Sequence, residues 1–476
     1  MSPMRPFLPI ARAEWRLLVR RRGYATLLVA FTVLLGIGLG LGALRQGRER
    51  AQQASYQKLV RDQWDHQPDR HPHRVAHYGT FAFKAPGALA AFDPGVDSYA
   101  GRVLFLEAHR QNSANFAEAG ALSSAFRLGE LSPAFVLQTL LPLVVIILGY
   151  RCMARETESG RLRLLLGQGV SMRVLALGKT AGLGLGLVPF LAVAGAALIA
   201  GVFLSASGEA SALFSRIAVI GAALLLYAIG WLALTLWISA RSNAGATALA
   251  ILAAVWAATC VVLPRGAAAW ADARHPLPTK SEFTARLQDE VHRLGDSHNP
   301  DDSTFTALRR ETLARHGVTK IEDLPVNYSA VVMQRSEELS SGLFARHYDE
   351  LTAAMERQNT LVRRAAFVAP ILGFSALSAA ASGTDLRSVA AFQREAESFR
   401  YAFVQRLNDL HRDEIRQQDD KLQRLGAGTW REFPDFHPSA LSLKSALAGS
   451  AGSWFALALW VLIPGVALVR TRFRRA

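Results

Sequence analysis

Three groups of residues have types and spacings that could do chemistry. The first is His66, His71, His73 and His77, four imidazoles within twelve residues. Imidazoles that close can hold zinc or copper. No Cys or Met lies beside them, and the spacing fits no zinc-finger pattern. A Pro-rich polar exposed loop accounts for them better, so no metal is assigned and the four stand only as a weak candidate set. The second group is Gly178-Lys179-Thr180, which matches the tail of the phosphate-binding loop G-x-x-x-x-G-K-[ST]. Arg173 stands where the leading glycine is needed, no strand precedes it, and an apolar run follows. Lys179 therefore reads as a basic residue at a membrane boundary, its head directed to water. The third group lies in residues 154–173, ARETESGRLRLLLGQGVSMR. Leu162, Leu165 and Leu166 form an apolar ridge at helical spacing beside Glu156, Glu158, Arg161 and Arg163. A short amphipathic helix of this kind either rests on lipid head groups or docks into a groove on a partner protein. Neither G-x-S-x-G nor H-E-x-x-H occurs, so no catalytic residue is assigned, no cofactor is expected, and an enzyme is disfavoured.

These groups must be positioned by apolar elements. Of the 476 residues, 51% are hydrophobic and only 19% charged, against about 25% charged in a soluble domain. Six apolar segments, 24–44, 133–150, 174–206, 214–238, 244–264 and 445–468, meet the length of about 20 residues needed to cross ~30 Å of hydrocarbon. The first follows Arg20, Arg21 and Arg22, contains no charge before Arg45 and is followed by no small-residue cleavage site, so it reads as a retained anchor. No span carries an acid or base near its midpoint. Ion-coupled carriers need such groups, which argues against a self-powered transporter. A further apolar stretch, 365–381, is interrupted by Pro370 and Gly373 and reads as a buried or interfacial segment. Gly178, Gly182 and Gly186 repeat at intervals of four in the third span, the spacing of close helix contacts.

The net charge is +15, and its placement sets orientation. With the N-terminus in the cytoplasm, segments 1–23, 151–179, 239–243 and 469–476 carry 17 Lys and Arg against 3 acids. Loop 45–132 carries 11 against 9, and loop 265–440 carries 23 against 25. The excess is a positive-inside signal and not a nucleic-acid surface. The expected fold is an all-α membrane protein with six transmembrane helices and two extracytoplasmic insertions, the larger mainly helical. Its parts are a cytoplasmic N-terminus (1–23), a first span (24–44), an outer loop domain (45–132), four spans with a connecting helix at 154–168 (133–264), a helical outer domain (265–440), a last span (445–468) and a cytoplasmic tail (469–476). In the larger insertion, Val389, Phe392, Ala396, Phe399, Phe403, Leu407 and Leu410 make one helical stripe within 384–424, with Thr384 or Asp385 as its cap. Segments 281–294 and 329–365 also read as helices, and mixed structure is expected in 45–132. Cys152 and Cys260 lie near opposite ends of their spans, which excludes a disulfide.

The stretch Glu156-Thr157-Glu158-Ser159-Gly160-Arg161-Leu162, then Leu165-Leu166, then Gly178-Lys179 opening a span, resembles the coupling-helix region of type-2 ABC export permeases. Arg161 stands where those permeases carry Thr, and Gln168-Gly169-Val170 replaces their Pro turn. The insertions resemble one bacterial subgroup whose large extracytoplasmic domain has no assigned function. The residues that carry this are His77-Tyr78-Gly79, Phe83-Lys84, Asp93-Pro94-Gly95-Val96, Glu107-Ala108-His109, Leu324-Pro325-Val326-Asn327-Tyr328, Gly383-Thr384-Asp385 and Ala396-Glu397-Ser398-Phe399-Arg400.

The resemblance implies a permease subunit of an ATP-driven exporter in the bacterial inner membrane, both termini cytoplasmic. It also implies a separate ABC ATPase and a second permease, the same or a sister chain. Glu156, Glu158, Gly160, Arg161, Leu162, Leu165 and Leu166 would make the ATPase-coupling contact. The alternative is a non-transporting ABC-type subunit that transmits force or signal to its outer domain.

Overall fold

The computed structural model describes residues 7–113, 131–204, 210–299 and 302–471. Helix α1 (Phe7–Val19) is amphipathic and buries Ala11, Glu14 and Leu18. Helix α2 (Arg22–Asp65) runs unbroken for 44 residues. At 1.5 Å per residue it is about 66 Å long, so it leaves the apolar span 24–44 and continues as a rod into the first insertion. There α3 (Pro72–Tyr78) and a small antiparallel sheet of β1 (Thr80–Phe83), β2 (Val103–Glu107) and β3 (Arg110–Gln111) supply the mixed structure expected of this loop. The β1–β2 register runs from Thr80 opposite Leu106 to Phe83 opposite Val103.

A π-helical turn at Val136–Leu140 leads into α4 (Leu141–Gly149), followed by α5 (Ala154–Glu158), α6 (Arg161–Gly167), α7 (Met172–Leu204) and α8 (Ala210–Arg241). Helix α9 (Gly245–Ala257) passes through a second π turn into α10 (Leu263–Arg274). The larger insertion contributes α11 (Lys280–His292), α12 (Thr306–His316), α13 (Tyr328–Arg364), α14 (Pro370–Ser382) and α15 (Leu386–Glu414), and α16 (Ala451–Val469) closes the bundle. Among the described residues six helical stretches are long and apolar enough to cross a membrane: Arg22–Asp65, Pro133–Glu158, Met172–Leu204, Ala212–Arg241, Gly245–Arg274 and Ala451–Val469. Stretch 365–381 is not a seventh. Pro370 starts a short helix, α14, whose Phe374 and Leu377 are fully buried and whose Phe374 ring stacks 5.3 Å from Tyr227 of α8.

The two insertions share one core. Trp64 at the end of α2, Val75 and Ala76 of α3, and Phe403, Val404 and Leu407 of α15 pack with Trp430 and Phe433. Polar contacts fix the rod in this core: Trp64 Nε1 donates to the Trp430 carbonyl at 2.6 Å, and Arg61 donates to the Phe433 and Arg431 carbonyls at 2.7 and 2.9 Å. The stripe of α15 is buried at Val389, Phe392, Ala396, Phe403 and Leu407. Asp385 caps the helix, accepting from the Ser388 amide at 3.1 Å. Arg400 is buried between Glu337 of α13 at 2.6 Å and Glu397 at 2.7 Å, which satisfies a guanidinium that could not otherwise leave water.

Two of the motif segments clasp one another. The Thr384 hydroxyl donates to the Asp93 carbonyl at 3.0 Å, Val96 N donates to the Thr384 carbonyl at 2.8 Å, and the Ser378 hydroxyl donates to the Asp93 carboxylate. Gly95 has φ +51°, and a Cβ there would stand 2.3 Å from the Thr384 carbonyl oxygen, so only glycine fits this joint.

Candidate coupling site

The segment between α4 and α7 folds as two short helices broken at Gly160. Gly160 sits at φ +70° with open space around it; it is the chain reversal that lets α5 and α6 lie against the bundle end. The end of α4 is tied down from α8. The Ser239 hydroxyl is fully buried, accepts from the Met153 and Ala154 amides at 3.0 and 3.1 Å, and donates to the Tyr150 carbonyl at 2.8 Å. These are the amides and carbonyl that a helix end leaves unpaired.

Lys179 is the centre of the site. It does not reach toward water as expected: it is 3% exposed, with Nζ 2.8 Å from Glu14 of α1, 3.0 Å from Glu156 of α5 and 2.8 Å from the Cys152 carbonyl. Arg155 Nη2 adds contacts at 3.5 Å to Glu14 and 3.4 Å to Glu156, and Arg161 Nε lies 3.4 Å from Glu156. Two buried carboxylates thus face a buried ammonium and a half-buried guanidinium, a nearly neutral set whose members depend on each other. The ammonium turns inward because Glu14 can reach it, and Glu14 can reach it because α7 offers no side chains along one face. A Cβ on Gly178 would stand 2.8 Å from the Ile10 side chain, and one on Gly182 would stand 2.6 Å from the Ala11 carbonyl oxygen. The glycine repeat therefore does make a close helix contact, and its partner is α1 of the same chain.

The candidate coupling residues divide between two faces. Leu162 is buried, and Leu165 and Leu166 pack half-buried on the bundle core. Glu156 is 6% exposed and lies on the bundle side of the link, with Lys179 and Arg155 against its carboxylate. The opposite face is open. Glu158 and Arg161 have side chains 44% and 55% exposed, Arg163 is exposed, and Leu164 is 68% exposed. Glu158 makes only a loose 3.6 Å pair with Arg151. Glu14, Ser239 and Leu164 were not singled out in the sequence. The signal for Glu14 was present, since it is the one acid among the six bases of residues 1–23.

The four histidines of the first insertion also separate. His66 is exposed and bonds only its own helix, with Nδ1 2.7 Å from the Asp62 carbonyl. His71 faces His411 and Asp420, whereas His73 and His77 meet His109 and His298.

Residues 8–333 match the family described as ABC-2 family transporter protein. The chain belongs to that family. The ABC-2 match spans the first five of the six membrane-length stretches and the whole α4–α7 connection, and residues 280–439 match a domain of unknown function, DUF3526. No curated protein matches this ABC-2 family chain. It is a multi-pass ABC-type permease subunit, a membrane transport component that is not itself catalytic.

Proposed function

We propose that this permease is driven by a separate cytoplasmic ABC ATPase that grips residues 154–168, and that it works as an exporter in a bacterial inner membrane. The observation that carries this reading is the two-faced link. Its inner face is locked to α1 and α7 through Lys179, while Glu158, Arg161, Arg163 and Leu164 are exposed on the other face. A push on the free face then moves α7 and α1 as one piece. An exposed leucine among charges of both signs suits a groove on a partner, with the charges setting register. The surplus of Lys and Arg in 1–23, 151–179 and 469–476 supports a cytoplasmic location for the link and both termini. The open faces of the spans, such as Val29, Val33, Ile37 and Leu41 on α2, would be covered by lipid and by a second permease, the same or a sister chain.

Replacing Leu164 with Asp or Arg163 with Glu removes that docking surface without touching the buried set. Co-purification of the ATPase is expected to fall by about tenfold or more, with the thermal midpoint of the permease unchanged. Undiminished co-purification would contradict the assignment.

A second reading, transmission of force to the insertion body, is favoured by α2. The helix joins the bundle to the shared insertion core without a break, and Arg61 and Trp64 anchor its far end.

A further inference from the structure

We propose that His73, His77, His109 and His298 form a binding site for a borderline divalent transition-metal ion, zinc foremost, which joins the two insertions. Each of the four offers a ring nitrogen, and these atoms lie within 4.8 Å of one another. The six ring pairs have centroids between 4.6 and 5.8 Å apart, so the imidazoles surround one point. His73 Nε2 and His77 Nε2 are already 3.2 Å apart. Zinc–nitrogen bonds of 2.0–2.1 Å in a tetrahedron place neighbouring ligand atoms about 3.3 Å apart. Closure on an ion therefore needs only small shifts of the other two rings.

The supports of the rings are those of a ligand set. His73 and His77 are four apart on α3, which puts both on one face of the helix. His109 occupies the β2–β3 turn at φ +60°, the one non-glycine residue with positive φ among the described residues. A histidine in that conformation carries strain that the surroundings must over-determine. Here the fully buried Glu337 does so: its Oε2 accepts from the His109 amide at 2.9 Å and stands 3.3 Å from His109 Nδ1. A carboxylate behind one ring nitrogen fixes the ring and leaves the other for a metal, the usual outer arrangement of a histidine ligand. Both ring nitrogens of His109, and Nδ1 of His73, are buried with no hydrogen-bond partner among the described residues. His298 has the same kind of support, with Nδ1 3.5 Å from Asp296.

The donor types also suit a metal. Neutral nitrogen donors without thiolates or a carboxylate in the first shell select zinc, copper(II) or nickel(II) over magnesium or calcium. The neighbouring group of His71, His411 and Asp420 is different. Asp420 Oδ1 lies 2.6 Å from His411 Nε2 and 3.6 Å from His71 Nε2, and it also accepts from Asn327 at 2.6 Å, so its carboxylate is already engaged by protein donors. His73, His77 and His109 come from the first insertion and His298 from the second, so a bound ion would cross-link them.

The test is zinc titration by calorimetry on the tag-free, detergent-solubilised full chain. The wild type is expected to take up about one zinc per chain with micromolar or tighter affinity, magnesium giving no heat. His77→Ala and His298→Ala alter exposed side chains, so the fold should be kept. Each should weaken zinc binding at least about tenfold, whereas His66→Ala should bind as the wild type does. Zinc should raise the thermal midpoint of the wild type and not that of His298→Ala. No zinc uptake by the wild type, or equal uptake by wild type, His77→Ala and His298→Ala, would overturn the site.

Discussion

Lys179 holds Glu14 and Glu156 in a place where neither can be solvated. Lys179→Met leaves both carboxylates without their ammonium, which destabilises by about 3–5 kcal/mol. A clear fall in the thermal midpoint is expected in detergent, partly recovered when Glu156→Gln is added because one of the stranded charges is gone. A midpoint equal to that of the wild type would show that the ion set contributes nothing. Glu158→Ala gives the contrast. Its partner Arg151 is 3.6 Å away and exposed, so the loss should be under about 0.5 kcal/mol. A drop in midpoint matching that of Lys179→Met would place Glu158 in the same knot. Glu156 and Glu158 look alike in the sequence, two acids at the start of an amphipathic run. Their difference is set by residues far along the chain: Lys179 is 23 positions away from Glu156, and Glu14 is 165 from Lys179. Local spacing carries no information about such pairs, which is why Lys179 read as a boundary residue. The histidine grouping was hidden for the same reason. His73 and His77 were legible by their spacing, but His109 and His298 join them only through folding.

At the scale of elements, hydropathy and periodicity were enough for the spans and for α13 and α15, because a helix needs only its own residues to satisfy its backbone. The small sheet was legible only as mixed structure, since strand pairing such as Phe81 with Phe105 is settled between segments. Helix α1 was missed as an element, although its apolar face follows from Ala11 and Leu18 once the groove on α7 is known. That groove gives a test. Gly182→Leu would drive a side chain into α1, whereas Gly195 of the same helix has open space beside it. Overpacking of this kind costs about 1–3 kcal/mol. Limited proteolysis should release the N-terminal peptide from Gly182→Leu faster than from Gly195→Leu, and equal release would refute the α1–α7 contact. The rod α2 gives another. Gly47 lies beyond the apolar span, and Gly47→Pro breaks the helix there. If force travels along α2, an ATP-dependent change in distance between spin labels at Leu164 and Tyr99 should disappear in this variant with the ATPase still bound. A change of full amplitude would exclude the rod as the transmitter.

For the whole molecule, the proposed function divides the work between the two ends of the bundle. One end carries the link, held by Lys179 and presenting Leu164; the other carries the insertion body, joined by the Asp93–Thr384 clasp and the shared aromatic core. On the proposed function, the motor is expected at the link. The most direct measurement places a photo-crosslinking residue at Leu164, with Tyr99 of the insertion body as control, in membranes that contain the ATPase. Both positions are exposed, and both cysteines of the chain are buried, so a parallel Leu164→Cys variant can be labelled with low background. An ATPase adduct from Leu164 and none from Tyr99, with Leu164→Cys shielded from an impermeant maleimide in intact cells, is the predicted result. Labelling of Leu164→Cys from outside the cell, or an ATPase adduct from Tyr99 alone, would contradict it.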